Sequence, residues 1–275
     1  MSGHGSVNHV FVVSDCVIRF ARDPKREDEF ATEVWCLAQA AQCGVPSPEV
    51  VAYDQIDGAS YLVHRFVPGA SGDTRPTAAL WRDLGRYARA VRGVSLHDAP
   101  AGLFGRFGRD PEAAWRAHLD YNDGQLREGD PLIWLGVYRA EQRQHVRDLI
   151  GELRSASFEF GLCHGDLAPR NLLVRPESES VLIDWGCATV APVPHHDFVY
   201  LLDGTADDDG PPTADVDAFA DGYGVRVADL MPTLEPMRVL AAIDVVRWAI
   251  DRRPDRVDEL VSAARRRLSP LLGPT

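Results

Sequence analysis

Residues 160–174, FGLCHGDLAPRNLLV, set a histidine, an aspartate and an asparagine inside one short apolar frame. A carboxylate between apolar runs is costly unless something uses it. Downstream, Asp184 ends the apolar run VLID at a Trp-Gly turn. Transfer of a phosphoryl group is chemistry that would use such residues. It asks for little covalent help and much positioning. Its parts are a carboxylate for the attacking hydroxyl, hard oxygen ligands for Mg2+, a cation on the phosphates and a backbone cradle over them.

HGDLAPRN followed by VLIDWG resembles the catalytic loop and metal-binding turn of the protein-kinase-like fold. The His-Gly-Asp form, with Asp-Trp-Gly in place of Asp-Phe-Gly, resembles the aminoglycoside phosphotransferase family of small-molecule kinases. The resemblance implies an α+β, bilobal fold: a small β-rich N-lobe with one helix, then a larger, mainly helical C-lobe. It implies Asp166 as catalytic base, Asn171 and Asp184 as Mg2+ ligands, and His164 as a brace for the loop. The competing reading is a structural loop with an unrelated strand-end aspartate. The ordered pair of motifs, one hairpin apart, weighs against it. A protein kinase is disfavoured because no Ala-Pro-Glu segment follows the metal turn.

Upstream parts follow in order. VIRF puts Arg19 on a strand where kinases usually carry a lysine, and Glu33 in the next helix is its expected partner, with Glu27 and Glu29 as competitors. A guanidinium grips both a carboxylate and a phosphate, although it is not the point charge a lysine offers. Lys25 is the only lysine in the chain and lies in a polar stretch. GHGSVNHVF would cover the phosphates, with Gly5, Ser6 and Asn8 giving close backbone approach and small donors. It begins two residues after Met1, so its leading strand is expected to be short or to lie upstream; the other reading is a frayed terminus. YLVHRFVPG resembles the family's hinge, which implies backbone contacts around His64, Phe66 and Val67 to the base of ATP or GTP.

The acceptor side is written less clearly. Residues 203–221 hold Asp203, Asp207, Asp208, Asp209, Asp215, Asp217 and Asp221 with no Lys or Arg. They read either as a site for a polycation, as aminoglycosides are bound in this family, or as a solvated acidic loop. GLFGRFGRDPEAAW resembles a stretch of hygromycin B kinases; Phe104, Phe107 and Trp115 would line an acceptor pocket or pack the loop down. Asp203, Asp207, Asp208 and Trp115 are thus the acceptor-binding candidates. Asp197 matches the family's aspartate at the start of a helix behind the catalytic loop, which implies a capping and bracing role. His195 and His196 lack carboxylates at metal-ligand spacing.

These residues need scaffolding, and the periodicity supplies it. A hairpin is expected over 7–20, helices over 26–43, 77–92, 111–121 and 138–155, and strands in EVVAYD, ASYLVHRFV, Leu172–Val174 and Val181–Ile183. A last helix should run from Pro254 through Leu268. Residues 1–67 would form the nucleotide-binding lobe and 68–275 the catalytic and acceptor-binding lobe, with a hinge near 66–70. The chain has 275 residues, 45% of them hydrophobic, enough for a sizeable core without staples. A net charge of −12 argues against nucleic acid and for a cationic partner. No apolar run approaches a membrane span and no signal peptide is evident. Five cysteines without a CxxC pair read as buried free thiols of a cytoplasmic protein, monomer or homodimer. The expected activity is an ATP- or GTP-dependent, Mg2+-dependent O-phosphotransferase acting on a small, cationic acceptor such as an aminoglycoside antibiotic, with a role in resistance. Another metabolite hydroxyl is the alternative acceptor, and a nucleotide-binding pseudokinase the alternative class.

Overall fold

The computed structural model describes residues 8–21, 27–175, 179–203 and 210–273, and for 27–29 the backbone alone. The β-branched N-terminal run folds as the expected hairpin. Strand β1 (Asn8–Val13) pairs antiparallel with β2 (Cys16–Ala21), from Asn8 opposite Ala21 to Val13 opposite Cys16. Strand β4 (Ala59–Arg65) pairs with β2 and with β3 (Val50–Ile56), giving a four-stranded sheet in the order β1-β2-β4-β3. Asp57-Gly58, both at positive φ, close the β3–β4 hairpin in the way strand twist favours. Helix α1 (Glu27–Gln42) buries Phe30, Cys36, Leu37 and Ala40; it packs on β3 and β4 and reaches the turn at Trp185–Cys187.

The rest of the chain is mainly helical. Strand β5 (Ala70–Ser71) leads into α2 (Ala78–Val91), whose first turn is capped by Thr77 through the Leu80 N–H. Asp110 caps α3 (Pro111–Gln125), with Pro111 in the first helical position where its missing N–H costs nothing. A short α4 (Pro131–Trp134) precedes α5 (Arg143–Ser155). Helix α5 starts five residues later than the periodicity predicts. Tyr138 is instead drawn inward, its hydroxyl donating to Asp130 at 2.6 Å, and the Arg139 N–H donates to Gln142 Oε1 at 2.8 Å.

Strands β6 (Glu159–Cys163) and β9 (Thr189–Val193) pair antiparallel. Strands β7 (Leu172–Val174) and β8 (Val181–Leu182) form a hairpin joined by β5 in the order β5-β7-β8. Helices α6 (His195–Asp203), α7 (Thr213–Tyr223), α8 (Val227–Arg252) and α9 (Val257–Leu272) complete the fold. The last helix runs past Leu268, after a tight turn at Pro254–Arg256.

Helix α2 buries Leu84, Tyr87 and Val91 and crosses α7 so closely that a Cβ on Gly85 would lie 2.0 Å from the Phe219 carbonyl oxygen. A charged anchor joins α4 to α8. Arg247 donates to both Asp130 carboxylate oxygens at 2.9 and 2.7 Å, and both residues are buried. Among the described residues no helix is long and apolar enough to cross a membrane. Cys36 and Cys163 are buried, but Cys43 and Cys187 are exposed, which corrects the expectation of buried thiols throughout; both sit at turns outside the core.

Candidate active site

One hairpin sets the spacing of the site. Asn171 immediately precedes β7, and Asp184 lies two residues past the end of β8. Leu172 faces Leu182, and the Ile183 N–H donates to the Asn171 carbonyl at 2.9 Å. Asn171 and Asp184 are therefore neighbours across the hairpin mouth. His164 ties the preceding loop to the same strand. Its Nε2–H donates to the Ile183 carbonyl at 3.0 Å, and its Nδ1 accepts from the Asp166 N–H at 3.3 Å. Burial pushes its pKa down, so the neutral ring that this bonding requires is the stable form. Gly165 sits at φ +79°, where a Cβ would lie 2.0 Å from the Cys187 carbonyl oxygen. Only glycine lets the loop lie against the turn at Trp185–Cys187.

Asp166 is held from two sides. Its Oδ2 accepts from Asn171 Nδ2 at 2.9 Å, and its Oδ1 forms a close ion pair with Arg170. The same amide nitrogen also reaches the Asp166 carbonyl at 2.7 Å. With Nδ2 so engaged, Asn171 keeps Oδ1 for another partner. Asp184 adopts φ +66°, a left-handed conformation that non-glycine residues hold at a cost and mostly at functional sites. An amide oxygen and a carboxylate side by side fit a hard cation such as Mg2+. Among the described residues no cluster of three or more His, Cys, Asp or Glu could by itself hold a metal ion.

A cleft of about 330 Å³ opens beside Asp184. Arg19, Glu33, His64, Phe66 and Val67 line it with Asp184, between the apolar faces of Val17 and Leu173. Arg19 on β2 and Glu33 on α1 form a close ion pair that is largely buried. The Arg19 guanidinium also lies 5.5 Å from the Phe30 ring centre. Burial pushes the His64 pKa down. In the hinge the Arg65 N–H donates to Glu49 and the Phe66 N–H to Asp15, at 2.8 and 2.7 Å. The Val67 N–H makes no hydrogen bond among the described residues.

Other candidates are placed differently. Gly5 and Ser6 lie outside the described residues, and Asn8 is the first residue of β1. Asp207 and Asp208 also lie outside them. Asp203 corrects the acidic-cluster reading: its side chain is buried and paired with Arg238 at 2.7 Å, so it holds α6 to α8. Asp221 lies on α7, 3.8 Å from Arg82 of α2. Asp197 is the third residue of α6, buried inside its first turn, and burial pushes its carboxyl up to about 7. Phe104, Phe107 and Trp115 do come together, lining a groove along β9 from Thr189 to Pro192. Sequence reasoning missed Arg170, His118 and Asp244. For Asp244 a signal existed: a lone acid in the apolar run VLAAIDVV, the same anomaly that marks Asp166.

A bilobal kinase-like scaffold with this loop, turn and ion pair defines a phosphotransferase. The Phosphotransferase enzyme family (APH) matches residues 3–240, and the chain belongs to that family. It is 29% identical to the Streptomycin 3''-kinase of Streptomyces griseus over 224 residues, covering 74% of this chain and 75% of that one. The Aminoglycoside 3'-phosphotransferase of Streptomyces ribosidificus is 27% identical over 201 residues, covering 69% and 71%. Among solved structures, the GDP and kanamycin complex of APH(2")-IIia superposes with a TM-score of 0.68 at 19% identity, covering 98% of this chain and 93% of that one.

Proposed function

We propose that this phosphotransferase moves the γ-phosphoryl group of ATP or GTP to a hydroxyl of a small, cationic acceptor. One curated relative is named for streptomycin and the other for aminoglycosides, and with an acceptor of that kind the enzyme would confer resistance. The observation that carries this reading is a chain of contacts: Asn171 bonds Asp166 and, through its carbonyl, Ile183, whose neighbour Asp184 lines the cleft with Arg19 and Glu33. Residues 1–67 are assigned to nucleotide binding and 68–275 to catalysis and acceptor binding. Cytoplasmic nucleotide supplies the phosphate, and the working unit is a monomer or homodimer.

Asp166 orients the acceptor hydroxyl and takes its proton as the oxygen–phosphorus bond forms and the bond to the departing nucleoside diphosphate breaks. Asn171 Oδ1 and the Asp184 carboxylate would hold Mg2+, which when bound neutralises charge on the phosphate oxygens. Arg19, fixed by Glu33, places its guanidinium on the inner phosphates. The Val67 N–H serves the nucleobase edge, with His64 and Phe66 beside it. His164 keeps the base and the metal turn in register. The test is a panel of aminoglycosides and metabolite alcohols assayed with Mg-ATP and Mg-GTP. At least one should be phosphorylated, and nucleotide should raise the melting temperature. A blank panel together with no nucleotide-induced shift would end this reading.

A further inference from the structure

A second cavity, of about 340 Å³, lies among α3, α6 and α8. Five rings line it, Trp115 and His118 from α3, His196 and Tyr200 from α6, and Trp248 from α8, beside aliphatic side chains such as Met237 and Leu240. The rings brace one another. His118 stacks on Phe107 with centres 5.3 Å apart and meets Trp115 edge-on at 5.7 Å, while His196 and Tyr200 lie 4.8 Å apart. Tyr200 and Trp248 nevertheless remain 52% and 46% exposed. Large rings left open around a concave space mark a place where something docks.

Among the described residues Asp244 is the only carboxylate lining the cavity. It accepts from Asn122 Nδ2 at 3.2 Å and lies 3.3 Å from His118 Nε2. Burial pushes its pKa up, but His118, Asn122 and the more distant Arg106 outweigh that and hold it below the usual carboxylate range. Burial holds the His196 pKa down at about 4, so that ring adds no positive charge near neutral pH. Aromatic faces carry partial negative charge, and a desolvated organic cation prefers them. The described lining thus pairs several rings with one carboxylate, a set that suits a single organic cation.

The cavity is continuous with the groove along β9, since both are lined by Trp115, His118, Pro192 and His196. Thr189 lines the groove and pairs with Cys163, three residues before Asp166. From Pro192 to Thr189 is about 10 Å of strand.

We propose that this cavity binds one N-alkylated ammonium group of the acceptor, about 10 Å or more from the hydroxyl that reaches Asp166. The proposal rests on the phosphotransfer reading and narrows its acceptor to amino alcohols with an alkylated, apolar-flanked amine. Benzyltrimethylammonium is a suitable probe, and calorimetry with the full chain, without nucleotide, reads its binding directly. Saturable one-to-one binding is expected, with neutral benzyl alcohol weaker by roughly tenfold or more. Trp248→Ala and Asp244→Asn should each weaken the probe by a similar factor, and Trp248→Phe should restore most of it. Both weakened variants should keep the wild-type nucleotide-induced thermal shift, which shows that they fold. Absence of saturable binding at millimolar probe, equal binding of the neutral analogue, or wild-type affinity in the folded variants would overturn the proposal. Turnover is not read, so a failed acceptor panel sinks the phosphotransfer reading alone, and failed probe binding sinks the ammonium site alone.

Discussion

At the scale of single residues, Asp166 is restrained through both oxygens, by Arg170 and by Asn171. Asp166→Asn should keep the loop folded but remove the proton acceptor. We expect kcat to fall by roughly 10²–10⁴ with the nucleotide KM little changed. Steady-state kinetics on any acceptor from the panel checks this, and unchanged turnover would mean Asp166 is not the base. This residue was legible in the sequence because its cost was: a carboxylate in an apolar frame needs a reason. Asp203 was not. In the chain it looks like its acidic neighbours, and only Arg238, thirty-five residues on, shows that it is an internal anchor.

At the scale of elements, the hairpin β7–β8 and helices α1, α2 and α3 follow from periodicity and caps. Strand β5 does not, since two residues carry no period; it exists because β7 offers it an edge. The delayed start of α5 has a similar origin, because Tyr138 is drawn inward toward Asp130. That carboxylate also receives both guanidinium nitrogens of Arg247 and so clamps α4 to α8. Its pKa is pushed up by burial and pulled down further by Arg247, Tyr138 and the Leu132 N–H. Asp130→Ala would leave Arg247 charged and buried without its partner. We expect a loss of roughly 3–5 kcal/mol in urea unfolding, with Arg247→Met/Asp130→Leu recovering much of it.

At the scale of the whole molecule, acid stability depends on two adjacent residues with opposite effects. His196 has its pKa pushed by burial from 6.5 to about 4, so between those values the unfolded chain binds more protons and stability falls as pH drops. Asp197 goes the other way. Its carboxyl is raised from 3.8 to about 7, so over that window stability rises as pH drops. His196→Gln should therefore gain roughly 1–2 kcal/mol on wild type between pH 7 and pH 5, and Asp197→Asn should lose ground over the same interval. Melting curves at the two pH values separate the signs; a variant that tracks wild type would show that its group titrates normally. The candidate catalytic stretch stands out in the sequence because it lies within some twenty-five consecutive residues. The ring-lined cavity was not, because three helices far apart in the chain build it.

The pairing of Arg19 with Glu33 also decides which covalent reagents can silence the enzyme. Acylating and sulfonylating nucleotide analogues attack kinases through a neutral lysine amine in the phosphate cleft. A guanidinium stays protonated at any working pH and offers no such nucleophile. The chain's one lysine, Lys25, belongs to the stretch between β2 and α1. An amine-directed analogue should thus find no lysine among the described residues that line the cleft. A thiol-directed arm has a nearer candidate instead: Cys187, an exposed residue three positions past Asp184.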